Sequence, residues 1–228
     1  NDRKFIENPP LIQRADVTLE GLPMREVLEA ALNDYQKSLL PDKELLFNRY
    51  SLKDYVRKVA GIGSVGTICG VMYFEGASLE DPLFLQYKQA QISVLSPYIG
   101  SSIYKNQAHR VVAGQRLLQG APDIFLGYVE SASKYYYVRQ LRDMRGGLTF
   151  GEGGCDLEAF GDYAKMFGWA LALGHARSGD AAKIAGYLGQ SHEVDYAFYR
   201  FAKAYAAQNL EDYDLFCKAV KSGKLQVT

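Results

Sequence analysis

Cysteine is scarce: Cys69, Cys155 and Cys217 are the only three in 228 residues. They are far apart and odd in number, so neither a disulfide framework nor a metal knuckle is implied, and a reduced, cytoplasmic setting is the natural expectation. Charge of one sign is also lacking, because 26 Lys and Arg balance 26 Asp and Glu. A general nucleic-acid binder ordinarily shows a basic excess, so nucleic acid is not an expected partner. No apolar run approaches the roughly 20 residues of a membrane span. No signal peptide is visible, in a chain that starts at Asn1 rather than Met. His109 and His192 are isolated, with no partners at metal-ligand spacing, and no metal site is expected within the chain. A Gly-x-Ser-x-Gly elbow is absent, which leaves a serine nucleophile unsupported. Cys155 stands among glycines and acids, and acidic neighbours raise a thiol pKa, so it reads as a poor nucleophile.

What the chain does have is 17 tyrosines, a residue suited to strands and half-buried helix faces. Residues 1 to 20, with Pro9-Pro10, read as an extended lead-in. Val27, Leu28, Ala31, Leu32 and Tyr35 recur at helical spacing behind Pro23, which predicts a helix ended by Pro41 and then a short helix over Asp42 to Arg49. Strand formers predict strands over Tyr55–Ala60, Thr67–Phe74 and Leu83–Lys88. A helix over Asn106–Gln119 and strands over Ile124–Val129 and Tyr135–Leu141 follow. Gly146-Gly147 and Gly151 to Gly154 read as a connection. Beyond it the chain reads as helical, from an N-cap at Asp156 to a stop at Gly179, then over Asp195–Gln208 and Asp212–Val220. The expected fold class is α+β: an antiparallel sheet of about five strands with one helix against it, packed on a mainly helical C-terminal part. The expected organisation is a lead-in with helices over 1–54, a sheet lobe over 55–147 and a helical part over 148–228.

The stretch Gly61-Ile62-Gly63-Ser64-Val65-Gly66-Thr67 is the chemical signal. Gly-x-Gly-x-x-Gly is weak alone, and in a dinucleotide-binding fold a helix must follow it. Here the next eight residues read as a strand. A strand, a glycine loop and a second strand resemble the phosphate-covering loop of protein kinases. Glycines let backbone amides approach anionic oxygens closely. Lys88, on the third predicted strand, supplies an ammonium for the same phosphates. The candidate nucleotide-binding residues are therefore Gly61, Gly63, Ser64, Val65, Gly66 and Lys88. Kinase analogy adds Asp143 and Met144, at a hinge that meets the adenine. The plain alternative is a tight hairpin turn beside a solvated lysine. His175 and Asp180, around Arg177-Ser178-Gly179, read either as part of a site rim or as a helix C-terminal cap in which Gly179 turns left-handed.

Several long motifs resemble one bacterial family. Gly61 to Thr67, Asp81-Pro82-Leu83-Phe84-Leu85-Gln86 and Gly114-Gln115-Arg116 look like the family catalogued as domain of unknown function 2252. Asp123-Ile124-Phe125-Leu126-Gly127 and Tyr136-Tyr137-Val138-Arg139-Gln140-Leu141-Arg142-Asp143-Met144 fit it as well. So do Gly168-Trp169-Ala170-Leu171-Ala172, His175 to Asp180 and Ile184 to Gly189. The likeness runs from about Pro9 to the C-terminus. Members are typically longer at the N-terminus, where a Gly-Asp-x-His-x-x-Asn-type stretch and an Asp-rich stretch resemble the catalytic and metal-binding loops of aminoglycoside phosphotransferase-like kinases. The implied picture is a circularly permuted kinase, with the nucleotide lobe, hinge and first C-lobe helices in this chain. It implies ATP with Mg²⁺, metal ligands outside this chain, and a small-molecule or protein acceptor in phosphoryl or nucleotidyl transfer. Two departures bear on activity. Gln89 stands where the family usually has Glu, and the helix over Asn106–Gln119 has no acid to pair with Lys88, only Gln107 and Gln115. The rival class is therefore a non-enzymatic pseudokinase or interaction module with a structural glycine turn.

Overall fold

The computed structural model describes residues 3–14, 21–59, 61, 66–141, 148–149, 154 and 156–226. Among these, the chain runs β1 (Ile12–Gln13), α1 (Met24–Gln36), α2 (Pro41–Phe47), β2 (Ser51–Lys58), β3 (Cys69–Glu75), β4 (Pro82–Ala90), α3 (Ser96–Ile99), α4 (Gln107–Leu118), β5 (Gly127–Ser131), β6 (Lys134–Gln140), α5 (Leu157–Ser178), α6 (Ala181–Leu188) and α7 (Glu193–Lys221). The fold is α+β. It divides into two compact units, Asn1–Ser178 and Gly179–Thr228.

The first unit is built on a six-stranded sheet of order β1-β2-β3-β4-β6-β5, with every neighbouring pair antiparallel. The expected five strands are β2 to β6. The sixth comes from the lead-in, where Ile12 and Gln13 pair with Lys58 and Arg57. Pro41 opens α2 at its first turn, where its missing N–H is one that no carbonyl of the helix would meet. The side chain of Asn106 caps α4 by accepting from the His109 amide at 3.0 Å.

Strand alternation gives the sheet two faces. On one face, α1 and α2 close a core of Met24, Leu28, Tyr35 and Phe47 against Met72, Phe74, Leu83, Leu85, Tyr87, Val129 and Val138. Phe47 is its hub, edge-on to Tyr35 and Phe74 at 5.3 Å each and to Phe125 at 6.1 Å. The Tyr35 hydroxyl donates to the Phe125 carbonyl at 2.5 Å. On the other face Tyr73 and Phe84 stack at 5.1 Å. There α4 lies at the β5–β6 end, where His109 stacks on Tyr128 at 4.5 Å and meets Tyr104 edge-on at 4.7 Å.

A buried carboxylate ties the lead-in to β2. Asp54 accepts from both Arg14 terminal nitrogens, at 2.7 and 2.9 Å, and from the Phe5 amide at 2.7 Å. Burial pulls its pKa upward, but these hydrogen bonds and the Arg14 charge outweigh that pull and hold it below the ordinary carboxylate value. The unfolded chain titrates near about 4, so it binds the proton more readily than the folded chain. The stabilisation is fully present above that pH and is lost as pH falls through the folded value. Asp54→Asn is expected to flatten the acid limb of a stability-against-pH curve measured by urea denaturation. An acid limb identical to the wild type would show that this carboxylate does not set it.

The helical part departs from expectation in two ways. Asp156 does cap α5, accepting from the Ala159 amide at 2.7 Å. However, Gly179 is absent from the glycines with positive φ, and Asp180 starts a further helix by capping α6 through the Lys183 amide at 3.0 Å. In the second unit, the two helices expected over Asp195–Gln208 and Asp212–Val220 are one 29-residue helix, α7. No Gly or Pro interrupts it, and Gln208 donates to Asp212 across the expected break at 2.9 Å.

Candidate functional site

The β2–β3 hairpin carries the glycine loop. Gly61 and Gly66 have φ of +62° and +78°, a left-handed backbone that side chains resist. Gly63, Ser64 and Val65 lie outside the described residues, as do Asp143 and Met144. The loop leaves β2 beside β1, where the Val59 amide donates to the Leu11 carbonyl at 2.9 Å. It re-enters the sheet at Ile68, whose amide donates to the Gln89 side chain at 3.2 Å while the Gln89 amide donates back to Ile68 at 2.8 Å. Gln89 thus clamps the loop exit, and it points to the face opposite Lys88.

Lys88 pairs across β4 with Cys69 on β3 and Tyr137 on β6. These three side chains share the face on which α4 lies. Lys58 at the end of β2 and Arg139 on β6 alternate onto that face too. Burial pushes the Cys69 thiol up, against the pull of Lys88, Lys58 and Arg139 together. Cys69 is therefore a protonated, buried floor under three cations. Arg139 also donates to Gln86 at 3.4 Å, the residue cross-strand from it. The sequence singled out Lys88 and noted Arg139, but passed over Lys58. The register Val56↔Val71 is what puts Lys58 beside Cys69, and only the alternation Asp54, Val56, Lys58 hints at it in the sequence.

Other candidates lie elsewhere. Gln107, a possible partner for Lys88, accepts from Arg110 at 2.9 Å instead, and Arg110 also donates to the Gln91 carbonyl at 3.0 Å. Asp123, just before β5, accepts from the Phe125 amide at 2.9 Å and from the Gln140 amide, which anchors the end of β6 leading towards the expected hinge. His192 pairs with Asp195 at 2.8 Å on the exposed surface. Among the described residues, no group of three or more His, Cys, Asp or Glu side chains is placed to hold a metal ion, and no helix is long and apolar enough to cross a membrane.

The family described as an uncharacterized protein conserved in bacteria (DUF2252) matches residues 1–219. The chain belongs to this family. No curated protein and no solved structure matches it. Family membership covers the glycine loop, Lys58, Lys88 and Arg139 alike. What the described residues of this DUF2252 site offer chemically is a patch of positive charge beside a loop whose described glycines have left-handed backbones, on the face that α4 borders.

Proposed function

We propose that this DUF2252 protein is a kinase-like nucleotide-binding protein, with the triphosphate of ATP held by the glycine loop and by Lys58, Lys88 and Arg139. The observation that carries the reading is the gathering of three cations on one sheet face around Cys69, next to the loop between β2 and β3. Three further features support it. Counted from the strand that enters the loop, Lys88 stands on the third strand, as the phosphate-binding lysine does in protein kinases. Two helices, the short α3 and then α4, separate that strand from the final hairpin. The last strand then returns to pair with the lysine strand. The activity that follows is phosphoryl or nucleotidyl transfer to a small-molecule or protein acceptor, with Mg²⁺ neutralising the phosphates.

Thermal melting with ATP and Mg²⁺ tests this. At ten times Kd, binding adds about 1.4 kcal/mol, or about 3 to 6 °C in Tm. Lys88→Ala is expected to abolish the shift, and Lys58→Ala and Arg139→Ala to weaken it. An unchanged melting curve at millimolar ATP and Mg²⁺ would overturn the proposal.

One observation favours a second reading, nucleotide binding without transfer. Protein kinases pair the strand lysine with a helix glutamate, whereas α4 carries no acid and its Gln107 is held by Arg110. A protein that melts higher with ATP yet releases no ADP beyond the uncatalysed rate belongs to this second class.

A further inference from the structure

The sheet face opposite Lys88 holds a cavity of about 70 Å³ between α1 and the strands. Met24, Leu28 and Ala31 of α1 form one wall, and Met72, Val129 and Val138 form the other. Arg57 and Tyr87 also line it. The Arg57 Nε is buried and has no hydrogen-bond partner among the described residues. Its charge acts on the Tyr87 phenol, so the two groups are neighbours. A guanidinium N–H buried without an acceptor is costly, and an anionic acceptor answers both the N–H and the positive charge. The cavity also reaches the β5–β6 turn, where Ala132 and Ser133 hold φ of +48° and +57°. Both angles are what a two-residue hairpin turn between Ser131 and Lys134 requires.

We propose that this cavity binds a short aliphatic carboxylate, with its chain against α1 and its carboxylate on Arg57. The planar guanidinium fork matches a carboxylate, and Lys134, at the turn end of the lining, adds a second positive charge. A dry cavity of about 150 Å³ accepts benzene. One near half that size takes a chain of about three carbons, the tail of butyrate, with the carboxylate at the Arg57 end of the lining. The site is independent of the nucleotide reading, because it lies on the other face and shares no residue with it.

Butyrate is the probe. Expected are a Tm rise of about 2 to 4 °C over sodium chloride at equal ionic strength, and shifted methyl resonances at Met24 and Met72 with Met166, on α5, unmoved. Butylammonium should do neither. Arg57→Met should lose both effects. Ala31→Leu, which fills the cavity, should lose them while keeping the fold, so the test holds even where Arg57→Met fails to fold. Methyl resonances unmoved by butyrate, shifts equalled by butylammonium, or a response that survives in Ala31→Leu would each overturn the proposal.

Discussion

Phe47→Ala is expected to destabilise the protein by about 3 to 5 kcal/mol. Phe47 is 1% exposed and touches the rings of Tyr35, Phe74 and Phe125 from the last turn of α2. Truncation removes three edge-to-face contacts and leaves a void between α1, α2 and the sheet. The surrounding rings are themselves held, Tyr35 by its bond to the Phe125 carbonyl, so the void has little means to collapse. Urea denaturation gives the loss directly, and melting should fall by about 6 to 20 °C. A loss under about 1 kcal/mol, below the usual range for a core aromatic, would mean that Phe47 is not the hub of this core.

Gly70→Ala is expected to cost about 1 to 3 kcal/mol, opposite in sign to the usual gain from replacing a strand glycine. Gly70 lies directly across from Tyr87, and the Tyr87 ring covers it. A Cβ at Gly70 would sit 2.6 Å from the ring's Cε1 and closer still to the hydroxyl end. Tyr87 is 7% exposed, so the ring can yield only by turning into the cavity that it lines under α1, out of its packed position. The same change in a Tyr87→Leu background should cost markedly less, with a coupling of about 1 kcal/mol or more in a double-mutant cycle. Additive losses would show that the ring does not obstruct this position.

Legibility in the sequence follows the range of the forces involved. The strands β3, β4 and β6 were readable because β-branched and aromatic residues crowd them, and α1 because its buried stripe is periodic. Pro41 was readable as a boundary, but α1 already ends at Gln36, and the proline opens α2 instead. The lead-in strand β1 was not readable. Ile12 and Gln13 have no pattern of their own and become a strand only through pairing with Lys58 and Arg57 and through the Arg14–Asp54 bond. The continuity of α7 was hidden because the polar run Gln208 to Asp212 resembles a break, while the helix there holds itself by a side-chain bond within one turn. At the candidate site, Gly61, Gly66 and Lys88 were visible as residue types at a spacing. Lys58 was not, because its neighbourhood with Lys88 depends on hairpin register. The unsatisfied Arg57 was equally hidden, since burial is set by α1, far from it in the chain.

The lead-in also has a consequence for how the sheet avoids its own kind. An outer strand with a free row of amides and carbonyls is a template for edge-to-edge pairing with another molecule. β2 would be such a strand, eight residues long. Instead, β1 takes up its far end at Lys58 and Arg57. Its near end carries a bulge between Leu52 and Asp54, and the Phe5 amide and Arg14 are latched to the Asp54 side chain. A two-residue strand, a kink and a buried carboxylate together close that edge to self-association, and a chain stripped of its first fourteen residues would open it along its whole length.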